Sequence, residues 1–469
     1  MIKFGTGGWR ARIGEEFTSG NVRAVAAGVT RLLREDHLDD QPVIIGYDHR
    51  FLSDTAARWI AEVLCGAGFK VLFLNRSAPT PLIMHTVRDM NLHCGLEVTA
   101  SHNPANYNGI KVIVDGGRDA PVSVTERIER YIGELTGIPI MPFEEALQAG
   151  KIEFLRNPFN KFLDDILAQI DVAAIRERGP RILFDPMYGS GTYALMTILY
   201  TARCTVDTMH IGRDAFFGGY VPEPNEESLH DLASGVVRGG YDLGIALDGD
   251  GDRLGVIDSN GRYISANEIL VMLYYYLHEY KGWKGPVVRN NSTTHMLDRV
   301  AESLGEICYE VPVGFKWISA KIDETDAVLG GENSGGMTMR GHIHGKDSAY
   351  AAALFVEMIS TMNKSPTEIM HDLTMKYGRF CMVERNYAYE QSDRDRIRRI
   401  VFEDKSLPDF GESVNHVSYE DGCKVYFEDG SFVLCRFSGT ETLLRLCAEA
   451  STKDTAIAYI DMLRRHLGL

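Results

Sequence analysis

The chain reads as an α/β protein of three similar domains with mixed or parallel sheets, followed by a C-terminal α+β domain. Two observations carry that reading: short apolar runs alternate with helical periodicity over most of the sequence, and the rhythm recurs three times before it changes. In the first repeat, Pro42 to Asp48 reads as a strand, Thr55 to Gly66 as a helix, Lys70 to Asn75 as a strand, Pro81 to Met90 as a helix and Cys94 to Thr99 as a strand. The second repeat runs through Arg181 to Asp185, a helix near Tyr193 to Tyr200, Thr205 to Ile211, a helix near Leu229 to Val237, and Asp242 to Leu247. The third comprises Pro286 to Arg289, His295 to Leu304, Ile307 to Pro312 and Ala327 to Leu329. βαβ units joined this way favour largely parallel sheets. Beyond the Lys376 to Gly378 breaker, strands outnumber helices: Tyr387 to Tyr389, Cys423 to Phe427, Phe432 to Arg436 and Leu443 to Glu449 flank a charged helix at Asp393 to Phe402, and Asp454 to His466 closes the chain as a helix.

Composition narrows the function classes. With 469 residues the chain is long enough for several cores. Lys plus Arg number 49 against 65 Asp plus Glu, a net −16, which argues against nucleic-acid or anionic-membrane partners. Any phosphate must be held by a local basic pocket. The longest apolar run, Ile269 to Leu277, ends at His278, short of the roughly 20 residues that cross a bilayer. Lys3, Arg10 and Arg12 bracket a glycine-rich stretch where a secretory leader would be apolar. The 8 cysteines form no C-x-x-C pair, so neither a zinc ribbon nor a disulfide framework is expected, and a reducing cytoplasm is the expected home.

The sharpest chemical signal is Asp248-Gly249-Asp250-Gly251-Asp252-Arg253, directly after an apolar strand. Carboxylates at alternate positions point to one side of an extended segment, and the glycines let the backbone curl until they converge. A calcium EF-hand needs Gly at its sixth position and Glu at its twelfth, but those are Arg253 and Ser259. Mg²⁺, with open positions for a phosphate oxygen, fits better. A second constellation, Thr99-Ala100-Ser101-His102-Asn103-Pro104 with Lys111 downstream, ends a strand where open α/β sheets bind ligands, or else is a plain strand-ending turn. Two further loops are rich in glycine and polar groups: Gly330 to Gly336, and Arg436-Phe437-Ser438-Gly439-Thr440-Glu441. The second has the parts that cradle a phosphate.

A rival lies in Gly189-Ser190-Gly191-Thr192-Tyr193-Ala194, which matches a G-x-G-x-x-A dinucleotide fingerprint with Asp207 as acidic partner, and would make the chain an NAD-dependent oxidoreductase. Pro186 and Met187 lengthen its approach, however, and close helix packing explains the glycines as well.

Taken in order, T-A-S-H-N-P at 99 to 104, D-G-D-G-D-R at 248 to 253, G-E-N-S-G at 331 to 335 and R-F-S-G-T-E at 436 to 441 resemble the α-D-phosphohexomutase superfamily of phosphoglucomutases, phosphomannomutases and phosphoglucosamine mutases. The resemblance covers the whole chain. It implies four domains around a central cleft: 1–145 with a phosphoserine loop, 146–258 with a metal-binding loop, 259–374 with a sugar-binding loop and 375–469 with a phosphate-binding loop. It further implies that Ser101 carries the transferable phosphate, that Asp248, Asp250 and Asp252 hold Mg²⁺ together with Ser101, and that His102, Lys111, Arg10 and Arg253 line the reaction centre. Glu332, Ser334, Lys316, His342 and Lys346 would meet the sugar, and Arg436, Ser438, Gly439 and Thr440 the non-reacting phosphate. The implied reaction interconverts glucose 1-phosphate and glucose 6-phosphate through a hexose 1,6-bisphosphate, with mannose or glucosamine phosphate as alternatives, in a monomer or homodimer whose partners are small hexose phosphates. Two departures stand out. Thr442 replaces a frequent proline, and Gly336 replaces a frequent histidine, while the Gly341 to Asp347 segment is similar to H-I-x-x-K-D of phosphoglucomutase-like members and supports glucose.

Overall fold

A computed structural model describes residues 2–5, 7–439 and 442–469. Three α/β domains precede an α+β domain, and the chain divides into two compact units: 1–269 with 329–367, and 270–328 with 368–469.

In the first unit, the strands Val43–Tyr47, Val71–Phe73 and Cys94–Val98 are buried along their whole length, as continuous apolar runs in parallel sheets should be. Val43–Tyr47 pairs in parallel with both neighbours, and the helices Ser53–Gly66 and Thr80–Asp89 supply the crossovers. The expected βαβ rhythm is therefore present, with helix starts one or two residues earlier than read. Two features differ from expectation. After Cys94–Val98 the chain returns antiparallel as Tyr107–Val114, which in turn pairs with Gly8–Arg12, so the sheet is mixed and the Ser101 segment is the connection between two paired strands. The strand Ile152–Phe154 adds to the edge at Val71–Phe73, which carries the first sheet past residue 145.

The second sheet of this unit places Arg181–Asp185 between Thr205–Thr208 and Leu243–Leu247, all parallel, and then turns antiparallel through Leu254–Asp258 and Tyr263–Ile264. The unit also contains the hairpin Leu329–Gly331 with Met337–Met339 and the helix Ser348–Met362, which is buried nearly all round and packs on the helices Val172–Arg178 and Thr192–Thr201.

In the second unit, Val287–Asn290 and Cys308–Val311 pair in parallel, with helices Met296–Ser303 and Phe315–Thr325. Its C-terminal part is an antiparallel sheet in the order Cys381–Ala388, Leu443–Ala450, Phe432–Phe437, Cys423–Phe427, Val414–Ser418, covered by Lys453–Leu467. Val414–Ser418 escaped the sequence reading because it is a largely exposed edge strand with no apolar alternation. The charged helix starts at Gln391 and ends at Arg398, with a wider turn at Arg399–Glu403.

Gly109 shows how closely the strands approach beside the Ser101 segment: a Cβ there would lie 2.1 Å from the Trp9 carbonyl oxygen and 2.9 Å from that of Thr99. Both obstacles are backbone and cannot swing aside. Gly109→Ala should therefore destabilise the protein by about 1–3 kcal/mol or more, read as a lowered urea midpoint, whereas an unchanged midpoint would mean the strands separate freely.

Candidate functional site

The strand Leu243–Leu247 is fully buried and delivers Asp248, Asp250 and Asp252 into the protein interior, each at most 1 % exposed. Gly251 at φ +72° makes the curl. Asp248 Oδ1 accepts from the backbone N–H groups of Asp252 (2.8 Å) and Arg253 (3.0 Å), and its Oδ2 accepts from Ser101 Oγ at 2.9 Å. Asp250 Oδ2 accepts from Thr80 Oγ1 (2.6 Å) and Lys111 Nζ (2.7 Å). Asp252 Oδ2 takes Lys111 Nζ at 2.6 Å and Lys346 Nζ at 3.0 Å. That leaves Asp250 Oδ1 and Asp252 Oδ1 buried with no hydrogen-bond partner, and one oxygen from each carboxylate lies within 4.8 Å of the others. Orphaned, convergent, all-oxygen donors suit a hard divalent cation, so the residues fit Mg²⁺.

The electrostatics divide the three carboxyls. Burial, then Asp250 and Asp252, push Asp248 well above the ordinary carboxylate range. Asp252 is buried as deeply, yet Lys111, Lys346 and Arg253 hold it well below that range. Lys111 is the mirror image: burial opposes its charge, but Asp250 and Asp252 outweigh burial and keep the ammonium protonated above the ordinary lysine value. A proton carrier would need the opposite shift, so Lys111 acts as fixed positive charge.

Ser101 is fully buried and adopts φ +49°, a conformation a serine takes only when its surroundings impose it. The surroundings are two residues that sequence reading missed. Asp48 accepts from Thr99 Oγ1 (2.7 Å), Ser53 Oγ (2.7 Å) and the Arg50 N–H (2.9 Å), while Thr99 Oγ1 takes the Ser101 N–H at 2.8 Å. The wholly buried Arg50 guanidinium donates to the carbonyls of Ser101, Asn103, Pro104 and Tyr107, closing the loop on itself. The available signal was Asp48-His49-Arg50 directly after the apolar strand Val43–Tyr47.

Around this pair stand the other expected groups of the first unit. His102 Nδ1 is 3.4 Å from Ser101 Oγ; loss of water, then Arg253, Arg10 and Lys346, push its imidazole well below the ordinary value, so it is neutral. Arg10 Nη1 donates to Asn103 Oδ1 (2.7 Å), and Arg253 Nη1 to Glu223 Oε1 (2.9 Å). Glu332 is buried and Ser334 exposed on the turn between Leu329–Gly331 and Met337–Met339. Gly336 explains its own departure from the expected histidine: a Cβ there would lie 2.1 Å from Lys346 Cδ, so the glycine clears the path along which Lys346 reaches Asp252.

His342 needs correction as a sugar ligand. It is 1 % exposed, packed against Tyr350 and Phe162, with Nε2 2.7 Å from Asp347 Oδ2. Asp347 in turn caps the helix Ser348–Met362 through the N–H groups of Ala349 and Tyr350. Its imidazole is committed to the core. The Gly189-to-Ala194 fingerprint is likewise spent on packing. A Cβ on Gly189 would lie 2.7 Å from the Asp248 carbonyl oxygen and one on Gly191 2.9 Å from Leu247 Cδ1, and the Ser190 N–H donates to the Gly249 carbonyl at 3.0 Å. These glycines seat the helix Thr192–Thr201 against the aspartate loop.

In the second unit, Arg436 is the penultimate residue of the strand Phe432–Phe437, with Nε on Asp421 Oδ1 at 2.8 Å. The Ser438 N–H bonds the Leu443 carbonyl at 2.8 Å, and Gly439 is exposed. Lys316 is half-buried in the first turn of Phe315–Thr325. Thr440 lies outside the described residues.

With the geometry in hand, four family models match the chain in order: the phosphoglucomutase/phosphomannomutase alpha/beta/alpha domains I over residues 1–137, II over 160–261 and III over 265–377, and the C-terminal domain over 397–466. Among curated relatives, a phosphoglucomutase/phosphomannomutase of Thermococcus kodakarensis is 29% identical over 465 residues, spanning 98% of this chain and 97% of its own. A protein of Methanosphaera stadtmanae, named probable phosphoglucosamine mutase, is 28% identical over 451 residues, spanning 96% and 95%. Among solved structures, a Thermus thermophilus protein assigned as a phosphomannomutase superposes with a TM-score of 0.86 at 28% identity, covering 100% of this chain and 99% of its own.

Lys111 and a divalent cation would both compensate the charges of Asp250 and Asp252. Lys111→Met strips Asp250 and Asp252 of their shared ammonium and should cost about 3–5 kcal/mol in the presence of a chelator. Millimolar Mg²⁺ should return much of that, because the cation replaces the lost charge. Urea unfolding of both proteins with EDTA and with Mg²⁺ provides the check; equal stability in EDTA would refute the charge-compensation account.

Proposed function

The chain belongs to the phosphoglucomutase/phosphomannomutase superfamily, and on that premise we propose that it is a phosphohexomutase, an isomerase that moves phosphate between O1 and O6 of a hexose phosphate through phosphorylated Ser101 and a hexose 1,6-bisphosphate. The observation that supports this most directly is Ser101 Oγ on Asp248 Oδ2 at 2.9 Å: a buried hydroxyl held in a strained conformation against a carboxylate triad.

Asp248, Asp250 and Asp252 would hold Mg²⁺, which when bound supplies positive charge to the transferring phosphoryl oxygens. The sugar hydroxyl attacks the phosphorus of phosphoserine, the bond from phosphorus to Oγ breaks, and the Ser101 oxygen takes up the proton the sugar hydroxyl gives up, which restores the hydroxyl bonded to Asp248. Phosphoryl transfer is loose, so positioning and charge do most of the work and a weak base suffices. Neutral His102, next to Oγ, is our candidate to hold the hydroxyl proton. Arg10 and Arg253 would neutralise the phosphoryl group, while Lys111 and Lys346 balance Asp250 and Asp252, and Arg50 and Asp48 keep the serine in place. Glu332 and Ser334 would meet sugar hydroxyls; Arg436, Ser438, Gly439, Thr440 and Lys316 would take the phosphate that is not transferred.

For substrate we propose glucose phosphate first. With His342 committed to the core, its contribution to the glucose argument falls away, and what remains is the Lys346 end of that segment. A second reading, glucosamine phosphate, is favoured by the Methanosphaera stadtmanae relative. Intact mass should show a fraction of the wild type carrying one phosphate and none on Ser101→Ala, with turnover of glucose 1-phosphate falling at least about a thousandfold. Phosphate retained by the variant would move the nucleophile elsewhere. Measured kcat/KM for glucose, mannose and glucosamine 1-phosphates decides the sugar, and a clear lead for glucosamine would replace glucose while keeping the chemistry.

A further inference from the structure

We propose that Asp421 is the positioning residue of the phosphate grip, joining Arg436 and the Lys316 segment into one preset pair of cations. The inference rests on the phosphohexomutase reading above, in which those two side chains take the non-transferring phosphate.

Asp421 sits in the turn between Val414–Ser418 and Cys423–Phe427, and all its acceptors are engaged. Oδ1 accepts from Arg436 Nε at 2.8 Å, Oδ2 from the Val313 N–H at 2.7 Å, and its backbone carbonyl from Asn291 Nδ2 at 2.8 Å. One carboxylate therefore binds two chain segments that are more than a hundred residues apart. Val313 leads through Gly314 into Phe315–Thr325, whose first turn carries Lys316.

The Arg436 contact has a direction. Anchoring Nε fixes the plane and rotation of the guanidinium, and among the described residues neither Nη has a protein partner, so the two-pronged end is the part left to face a phosphate. A fork already oriented forfeits less rotamer entropy when a dianion arrives. The turn is itself braced. Gly422, at φ +88°, lies so close to Cys435 that a Cβ would be 2.6 Å from its carbonyl oxygen. Two residues on, the buried Lys424 Nζ donates to the Asn291 carbonyl and to Glu310 Oε2, each at 2.7 Å. Asp421 is thus held from the strand side and from the Asn291 side at once.

Charge and positioning make opposite forecasts for this residue. As a mere charge, a carboxylate beside Arg436 weakens the attraction for a phosphate dianion, so removing it should tighten binding. As a positioning residue it is needed, so removing it should loosen binding. Asp421→Asn preserves size, deletes the charge and turns one acceptor into a donor aimed at the Arg436 Nε–H or the Val313 N–H. In the full-length enzyme we expect KM for glucose 1-phosphate and glucose 6-phosphate to rise roughly tenfold, with kcat per phosphoserine within about threefold of wild type. Calorimetric titration with glucose 6-phosphate should weaken by a similar factor. Asp421→Ser, small enough to admit a bridging water, is measured beside it and should fall between the two, which keeps the test open if Asp421→Asn folds poorly. An unchanged or lower KM in a folded variant overturns the inference, as does a loss confined to kcat. If the wild type takes up no hexose phosphate, the phosphohexomutase reading falls first; if it does and both variants match it, only the role of Asp421 falls.

Discussion

Asp248, Asp250 and Asp252, three carboxylates buried within five residues, impose the constraint that organises the first unit. Like charges this close, away from water, cannot all persist without compensation. The surrounding elements are arranged to supply it. Thr80, at the start of its helix, and Lys111, on the returning strand, bond Asp250; Lys111 and Lys346 bond Asp252; Ser101 and two backbone N–H groups bond Asp248. The requirement reaches the glycines too. Gly189 and Gly191 let one helix start against the loop, Gly335 admits the Leu254 backbone directly after it, and Gly336 makes way for Lys346. Four glycines in two separate loops trace to a single need, the close approach of backbone and cation to the same few oxygens.

Topology is what makes that convergence possible. Had the chain continued parallel after Cys94–Val98, Lys111 would have been carried away from the serine by a crossover. The antiparallel return instead sets Lys111 directly across from Glu97, and the connection between the two strands is the segment that bears Ser101. The proposed nucleophile and the Lys111 ammonium are thus tied to one pair of strands, and their separation is set by sheet register rather than by a flexible loop. Arg50 and Asp48, at the end of the neighbouring parallel strand Val43–Tyr47, then lock the connection from the side.

This division explains what could be read from sequence. The aspartate loop and Thr99 to Pro104 were legible because their chemistry is consecutive: the spacing of like residues in a row carries the geometry. Arg50 and Asp421 were not, since each acts on carbonyls or side chains far along the chain, and no local pattern marks an arginine as a clamp or an aspartate as a joint. His342 failed for the opposite reason. Its surroundings in sequence resemble a substrate segment, but whether an imidazole faces a ligand or the core depends on Phe162 and Tyr350, which only the tertiary fold brings to it. The buried strands were legible as apolar runs, whereas Tyr107–Val114 was hidden by the polar residues it must carry for the site, and Val414–Ser418 by its exposure.

The unequal state of the three carboxyls bears on what the proposed metal would add. Asp250 and Asp252 already have ammonium partners, so their charges are met by the protein itself. Asp248 has only hydrogen-bond donors, and burial with its two neighbours drives it upward, which leaves it the weakly supported member, bonded to the serine hydroxyl. Replacing that hydroxyl by a phosphate of about −1.5 to −2 charge puts a dianion against the one carboxyl that has no cation of its own. The lysines are spent, and Arg253 is shared with Glu223. A divalent ion held by the triad would then compensate both Asp248 and the phosphate. If Ser101 carries the transferable phosphate as proposed, the demand for metal would arise from that phosphate more than from the aspartates, because Lys111 and Lys346 already compensate Asp250 and Asp252.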